Sequence, residues 1–168
     1  MKILAELSEK SLGINNDQKI IGEAYTLRKS ARAIVLNNEG LMALQHIEKY
    51  GYHKLPGGGM EGDEEIEETL HREIKEEVGC AIEILHPIGM VITYQTNLLH
   101  ISYCYAVKVV GDVKEPNFDE GEIEANQSTV WLTPNECLET LKADIASKQQ
   151  GDFILQRENI FLKEYLGV

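Results

Sequence analysis

The chain has 168 residues, 43% of them hydrophobic and 26% charged, and a formal net charge of −12 at pH 7. That length and apolar content suit a single domain with one good core. The acidity argues against nucleic-acid backbones and anionic membranes as main partners, since both attract basic surfaces.

The opening MKILAELSEK carries acidic residues and no sustained apolar run, so it supports neither a signal peptide nor a membrane span, and the expected compartment is the cytoplasm. Cys80, Cys104 and Cys137 lie far apart with no CxxC pair, which reads as reduced thiols and not as a zinc or redox site. Residues 1–27 form an N-terminal extension, read as short extended segments around a turn at Gly13, Ile14, Asn15, Asn16 and Asp17. This extension either packs an extra hairpin on the domain or reaches a second subunit, as in a homodimer.

The run SARAIVL at residues 30–36 reads as a strand and LMALQHI at residues 41–47 as its hairpin neighbour across Asn37, Asn38, Glu39 and Gly40. A third strand at residues 52–55 delivers the chain into Gly57, Gly58 and Gly59, where the backbone can bend freely and approach a ligand closely. Lys54, Arg32 and His46 are candidates to reach phosphates from here; the plain alternative for each is a solvated surface residue.

A helix follows within GGGMEGDEEIEETLHREIKEEVGC, residues 57–80, with acidic residues crowding its first turns and Gly79 at its stop. At about 100° per residue, Ile66, Leu70, Ile74 and Val78 form an inward stripe. Glu73 and Glu77 fall on that same meridian and Glu76 lies at its border, whereas Glu65, Glu68, Arg72 and Lys75 occupy the far side. Carboxylates beside a buried stripe are costly to desolvate and repel one another unless a cation sits between them. Oxygen-only ligands of this kind suit a hard divalent ion, magnesium or alternatively manganese. Such an ion would also bring local positive charge into the acidic chain and so let it bind an anionic ligand that it would otherwise repel.

Residues 81–95 read as one or two strands, with Pro87 marking an edge or a bulge. Residues 99–110 alternate as a further strand. Tyr94, Tyr103 and Trp131 have faces that suit a nucleobase, with core packing as the plainer role. The polar stretch at residues 111–127 reads as a long loop before a strand at residues 129–132. Thr133 and Pro134 start one helix, and a last helix spans residues 152–166; both read as scaffold. The five histidines show no metal-ligand spacing. Strands and helices therefore mix in an α+β or α/β/α arrangement.

The spacing of Gly58, five residues, Glu64, seven residues, then Arg72, Glu73, Ile74, Lys75, Glu76, Glu77, Val78 and Gly79 resembles the Nudix box at every fixed position. One soft position departs from it: Cys80 stands where an aliphatic residue is usual. The resemblance covers residues 31–166, with residues 28–168 as the expected domain. It implies an α/β/α sandwich around a mixed β-sheet, and metal-dependent hydrolysis of a diphosphate linkage in a nucleoside diphosphate joined to some group X.

In this reading Glu73, Glu76 and Glu77 hold the metal, and the Gly57 carbonyl completes its coordination. Lys54, Arg32 and Gly58 contact substrate. Arg72 orients carboxylates or braces the loop, and Glu64 steadies the loop-to-helix junction. The general base is Glu73 or a glutamate from the later loop, Glu122 or Glu120; the role of Glu61 stays open. A non-catalytic nucleotide-binding module is the alternative, but such a module would ordinarily lose some of these glutamates. An acidic helix serving a protein partner conflicts with the inward Glu73 and Glu77. Nucleoside triphosphates, dinucleoside polyphosphates, ADP-ribose and nucleotide sugars all remain open as substrates.

Overall fold

A computed structural model describes residues 1–13, 25–145 and 149–168. Ile14 to Asp17 of the expected N-terminal turn lie outside them. The strands are β1 Ile3–Ser8, β2 Thr26–Leu36, β3 Met42–Ile47, β4 Tyr52–Lys54, β5 Ala81–Gln95, β6 Leu98–Val110 and β7 Gln127–Leu132. They form one sheet in the order β1-β5-β6-β2-β3-β4, with β7 also pairing β3. The pairs β1/β5 and β2/β6 are parallel and the others antiparallel, so the sheet is mixed.

The helices are α1 Ile66–Glu77, α2 Glu120–Glu124, α3 Pro134–Ala143 and α4 Gln149–Leu166. Two cores lie on opposite faces of the sheet. Ala31, Ala33, Val35, Tyr105 and Val107 meet Leu70, Ile74 and Val78 of the α1 segment. Their alternate neighbours Ile34, Cys104 and Ala106 meet Leu141 of α3 and Phe161 and Leu162 of α4. Strands covered on both faces bury every side chain in turn, which is why these stretches read as continuous apolar runs. The result is the expected α/β/α sandwich. Among the described residues no helix is long and apolar enough to cross a membrane.

Two local readings change, those of the hairpin and the long loop, and two open ones are narrowed. The hairpin of β2 and β3 closes only at Leu36 and Met42. Beyond it β2 runs parallel to β6 from Thr26 beside Leu98 to Leu36 beside Lys108, while β3 pairs β7 and β4. The long loop expected at residues 111–127 contains α2, because Asp119 caps it: Asp119 Oδ1 accepts from the Glu122 amide at 2.8 Å and the Glu122 carboxylate accepts from the Asp119 amide at 2.9 Å. Residues 81–95 form one strand, its register shifting on both sides of Pro87, whose missing N–H breaks the ladder. Of the N-terminal segment, β1 adds to the sheet edge along β5.

Candidate active site

The glycine loop lies along β2. Ala33 N–H donates to Pro56 O and Ala31 N–H to Gly58 O, both at 3.0 Å, and Met60 N–H donates to Lys29 O at 3.0 Å. Gly57 has φ +126°, and a Cβ there would overlap the Ala31 carbonyl; a Cβ on Gly58 would overlap the Glu73 carboxylate. Glycine is thus required at Gly57 by conformation, and at Gly58 it is what lets the Glu73 carboxylate sit against the loop.

From α1, Glu77 is 1% and Glu73 9% exposed, both turned toward this loop. Glu77 Oε1 accepts from Lys54 Nζ at 2.9 Å and from Gln127 Nε2 at 3.0 Å, and Oε2 accepts from the Gly57 amide. Its carbonyl accepts from Thr129 Oγ1 at 2.8 Å and Gln45 Nε2 at 3.2 Å. Burial alone would raise the Glu77 carboxyl, but the Lys54 and Arg32 charges, a hydrogen bond with Glu122 and the Gly57 amide hold it below the usual carboxylate range. Burial raises Glu73, reinforced by the Glu77 charge. Glu122, half-buried on α2, is pushed up to about 7 by burial and by its hydrogen bond to Glu77.

Arg72 ties the loop to the helix. Its Nε and Nη2 donate to the two Glu64 oxygens at 2.7 and 3.0 Å, its Nη2 also to Gly59 O at 2.9 Å, and its Nη1 to Glu73 Oε1 at 2.8 Å and Glu76 Oε2 at 3.2 Å. The Glu76 side chain is 42% exposed, and Glu61 stands at the edge of this cluster, 3.9 Å from Arg72 Nη1. Arg32 Nη1 donates to the Gly57 carbonyl, the oxygen expected as a metal ligand. Among the described residues no three acidic, imidazole or thiol groups stand close enough together to grip an ion as they are. Arg72, Lys54 and Arg32 engage these oxygens instead.

Two cavities open here. One, of about 450 Å³, lies over Gly57, Gly58, Glu73 and Glu77. The other, of about 340 Å³, extends from Glu122 past Gln127 to His100, Phe153 and Arg157. Arg28, Arg32, Lys54, Asp119 and Glu122 line both.

Of the expected phosphate contacts, Lys54 and Arg32 are at the site, whereas His46 stacks on His53 with ring centroids 4.5 Å apart, and His53 Nδ1 lies 3.0 Å from Asp144. Tyr94, Tyr103 and Trp131 line neither cavity: Tyr94 meets Tyr25 edge-on, and Tyr103 and Trp131 pack on the α1-side core. The aromatic lining comes from Tyr50, Tyr52 and Phe153.

Sequence reasoning also missed Gln45, Gln127, His100, Arg157 and Glu158. The α4 helix, read as scaffold, carries Arg157 and Glu158 into the interior, 3% and 0% exposed. A signal for both sets exists, since Gln45 interrupts an apolar strand and Arg157 and Glu158 interrupt an apolar helix.

The NUDIX domain family model matches residues 26–154. No curated protein matches the chain in sequence. Among solved structures, a NUDIX hydrolase from Nitrosomonas europaea superposes with TM-score 0.62 at 15% identity, over 84% of this chain and 90% of that one. A MutT protein from Methanosarcina mazei gives 0.56 at 21%, over 86% and 99%. An ADP-ribose pyrophosphatase from Streptococcus suis gives 0.53 at 16%, over 83% and 92%. The likenesses to these structures extend to the fold, and the family model spans most of the chain, including the glycine loop, Arg72 and the glutamates of α1: the chain belongs to the NUDIX domain family.

Proposed function

We propose that this Nudix enzyme hydrolyses the diphosphate linkage of a nucleoside diphosphate joined to a group X, using a divalent cation, magnesium or manganese, held by Glu73, Glu76 and Glu77 with the Gly57 carbonyl. The observation that carries this reading is the burial of Glu73 and Glu77 against the glycine loop, where a Cβ on Gly58 would displace the Glu73 carboxylate.

The residues fit such a cation. Glu73 and Glu77 are buried on one face of α1 toward the Gly57 carbonyl, with Glu76 beside them, an all-oxygen donor set of the kind a hard divalent ion takes. Binding requires Arg72 Nη1 to release Glu73 and Glu76, and Arg32 to release the Gly57 carbonyl. When bound, the cation supplies Lewis-acid stabilisation of phosphate charge and a more acidic water.

Water attacks one phosphorus of the linkage; the P–O bond to the other phosphoryl group breaks, and that group leaves with the bridging oxygen. Glu122 accepts the water proton, from its place at the border of both cavities and within hydrogen-bond reach of Gln127. Lys54 and Arg32 hold phosphate oxygens, and Gly58 lets them approach. Arg72 and Glu64 hold the loop and the glutamates in register.

The test is chromatographic detection of the two products, a nucleoside monophosphate and phospho-X, formed with magnesium from nucleoside triphosphates, dinucleoside polyphosphates, ADP-ribose and nucleotide sugars, for wild type and Glu76→Gln. Turnover of one class that needs metal and collapses in Glu76→Gln supports the reading. A folded, metal-binding wild type that cleaves none of them makes the chain a nucleotide-binding module.

A further inference from the structure

The far wall of the 340 Å³ cavity is built by alternate residues of two parallel strands. On β2, Arg28, Ser30 and Arg32 share a face with Ile34. The register sets Arg28 beside His100, Ser30 beside Ser102 and Arg32 beside Cys104 of β6. Ile34 and Ala106 on that face are packed into the core with α3 and α4. Before that point the same face turns polar, and Arg157 of α4 closes over it, its Nη1 donating to Ser102 Oγ at 3.3 Å.

Within a chain of formal net charge −12, four cations thus line one cavity against two carboxylates, Asp119 and Glu122. Two of the four are matched: Arg157 by Glu158, and Lys54 by Glu77 at 2.9 Å. The other two are not. Arg32 is 7% exposed, yet its buried Nε has no hydrogen-bond partner among the described residues. The Arg28 side chain makes no hydrogen bond or ion pair with any described residue. His100, Ser30 and Ser102 satisfy one another, His100 Nε2 lying 2.9 Å from Ser30 Oγ, and Ser30 Oγ 3.1 Å from Ser102 Oγ, so the unmatched donors are guanidinium groups. Both arginines also line the cavity over the glycine loop.

We infer that Arg28 and Arg32 form a subsite for a further phosphoryl group, so that this chain prefers nucleoside diphosphate derivatives whose X is itself a phosphate over those whose X is a neutral sugar. The inference rests on the hydrolase reading above. A guanidinium presents a planar fork that matches phosphate oxygens two at a time. A neutral sugar there brings no charge to set against the two guanidinium groups, neither of which has a carboxylate at ion-pair distance among the described residues. A phosphate chain lying over Gly57 and Gly58 would pass both guanidinium groups on its way into the 340 Å³ cavity.

The experiment compares a nucleoside triphosphate with a nucleotide sugar of the same base, with magnesium, for wild type and Arg28→Gln. Arg28 is exposed, so this substitution keeps the fold. Wild type is expected to show kcat/KM at least about tenfold higher for the triphosphate. Arg28→Gln should lose about tenfold on the triphosphate, mainly through KM, and less than about twofold on the sugar. Equal losses on both, or a wild type that prefers the sugar, overturn the inference. If nothing is cleaved, the hydrolase reading fails separately and calorimetry decides the subsite. A β,γ-methylene triphosphate should then bind about tenfold more tightly than the matching diphosphate, with Arg28→Gln removing the difference; equal affinities in wild type overturn it.

Discussion

Arg72 holds Glu64 through both carboxylate oxygens, at 2.7 Å from Nε and 3.0 Å from Nη2, and the same guanidinium reaches Glu73. The Arg72 hydrogen bond holds the Glu64 carboxyl down at about 2. A lysine can supply the charge but not the fork. Arg72→Lys and Glu64→Gln should each lower kcat/KM by about 10- to 100-fold, as substitutions that leave ligands unsupported do. The double variant should lose little more than either single one, because both remove one interaction. Steady-state kinetics of the three variants checks this; losses that multiply would show that the two residues act separately.

Glu77 is the deepest acid of the site, and Lys54, Gln127 and the Gly57 amide all donate to its oxygens. Glu77→Gln is nearly isosteric, but its NH2 group must face one of these donors. Breaking a buried ion pair by neutralising one partner costs about 3 kcal/mol. The variant should lose measurable turnover and that much stability in urea denaturation. Unchanged stability would mean that Lys54 turns to solvent without penalty.

Gly58 and Gly59 are adjacent yet should respond differently to alanine. At Gly58 the new methyl overlaps the Glu73 carboxylate, whereas at Gly59 it meets only the flexible Arg28 side chain at 3.3 Å. Gly58→Ala should reduce kcat/KM by about 100-fold with about 1–3 kcal/mol of lost stability from overpacking. Gly59→Ala should stay within a few-fold of wild type. Similar kinetics for the two would place Glu73 outside the reaction.

His100 lies behind the cavity wall, hydrogen-bonded to Ser30. Burial, reinforced by the charges of Arg157, Arg32 and Arg28, pushes it down to about 3. An unfolded histidine titrates near about 6.5. Below that pH the unfolded chain binds a proton that the native protein refuses until about 3. Stability therefore falls as pH drops through this window, with a contribution of up to about 1.4 kcal/mol per pH unit from this residue. Urea midpoints of wild type and His100→Gln between pH 6.5 and 4 should show the variant's slope shallower by about one proton; parallel slopes would mean that His100 is protonated in the native state.

The helix, its glycine stop, the glycine loop and the inward glutamates were legible in the sequence because each follows from local rules. Period 3.6 places Glu73 and Glu77 on the stripe of Leu70 and Ile74, and a glycine run before a helix marks a close approach. The α2 helix was legible too, in the Asp119 to Glu122 capping spacing, but the acidic composition around it masked that signal.

What only the tertiary structure decided is which distant elements share the site. The parallel pairing of β2 with β6 sets Arg28 beside His100 across an interval in sequence that no periodicity spans. The hairpin after Leu36 opens because β6 claims β2, leaving β3 to bring Gln45 under the Glu77 carbonyl. Arg157 and Glu158 looked like a charged interruption of a scaffold helix; packing α4 over a polar patch of the sheet made Arg157 a cavity wall, paired with the buried Glu158. Local patterning determines which residues turn inward, and long-range pairing determines what they meet there.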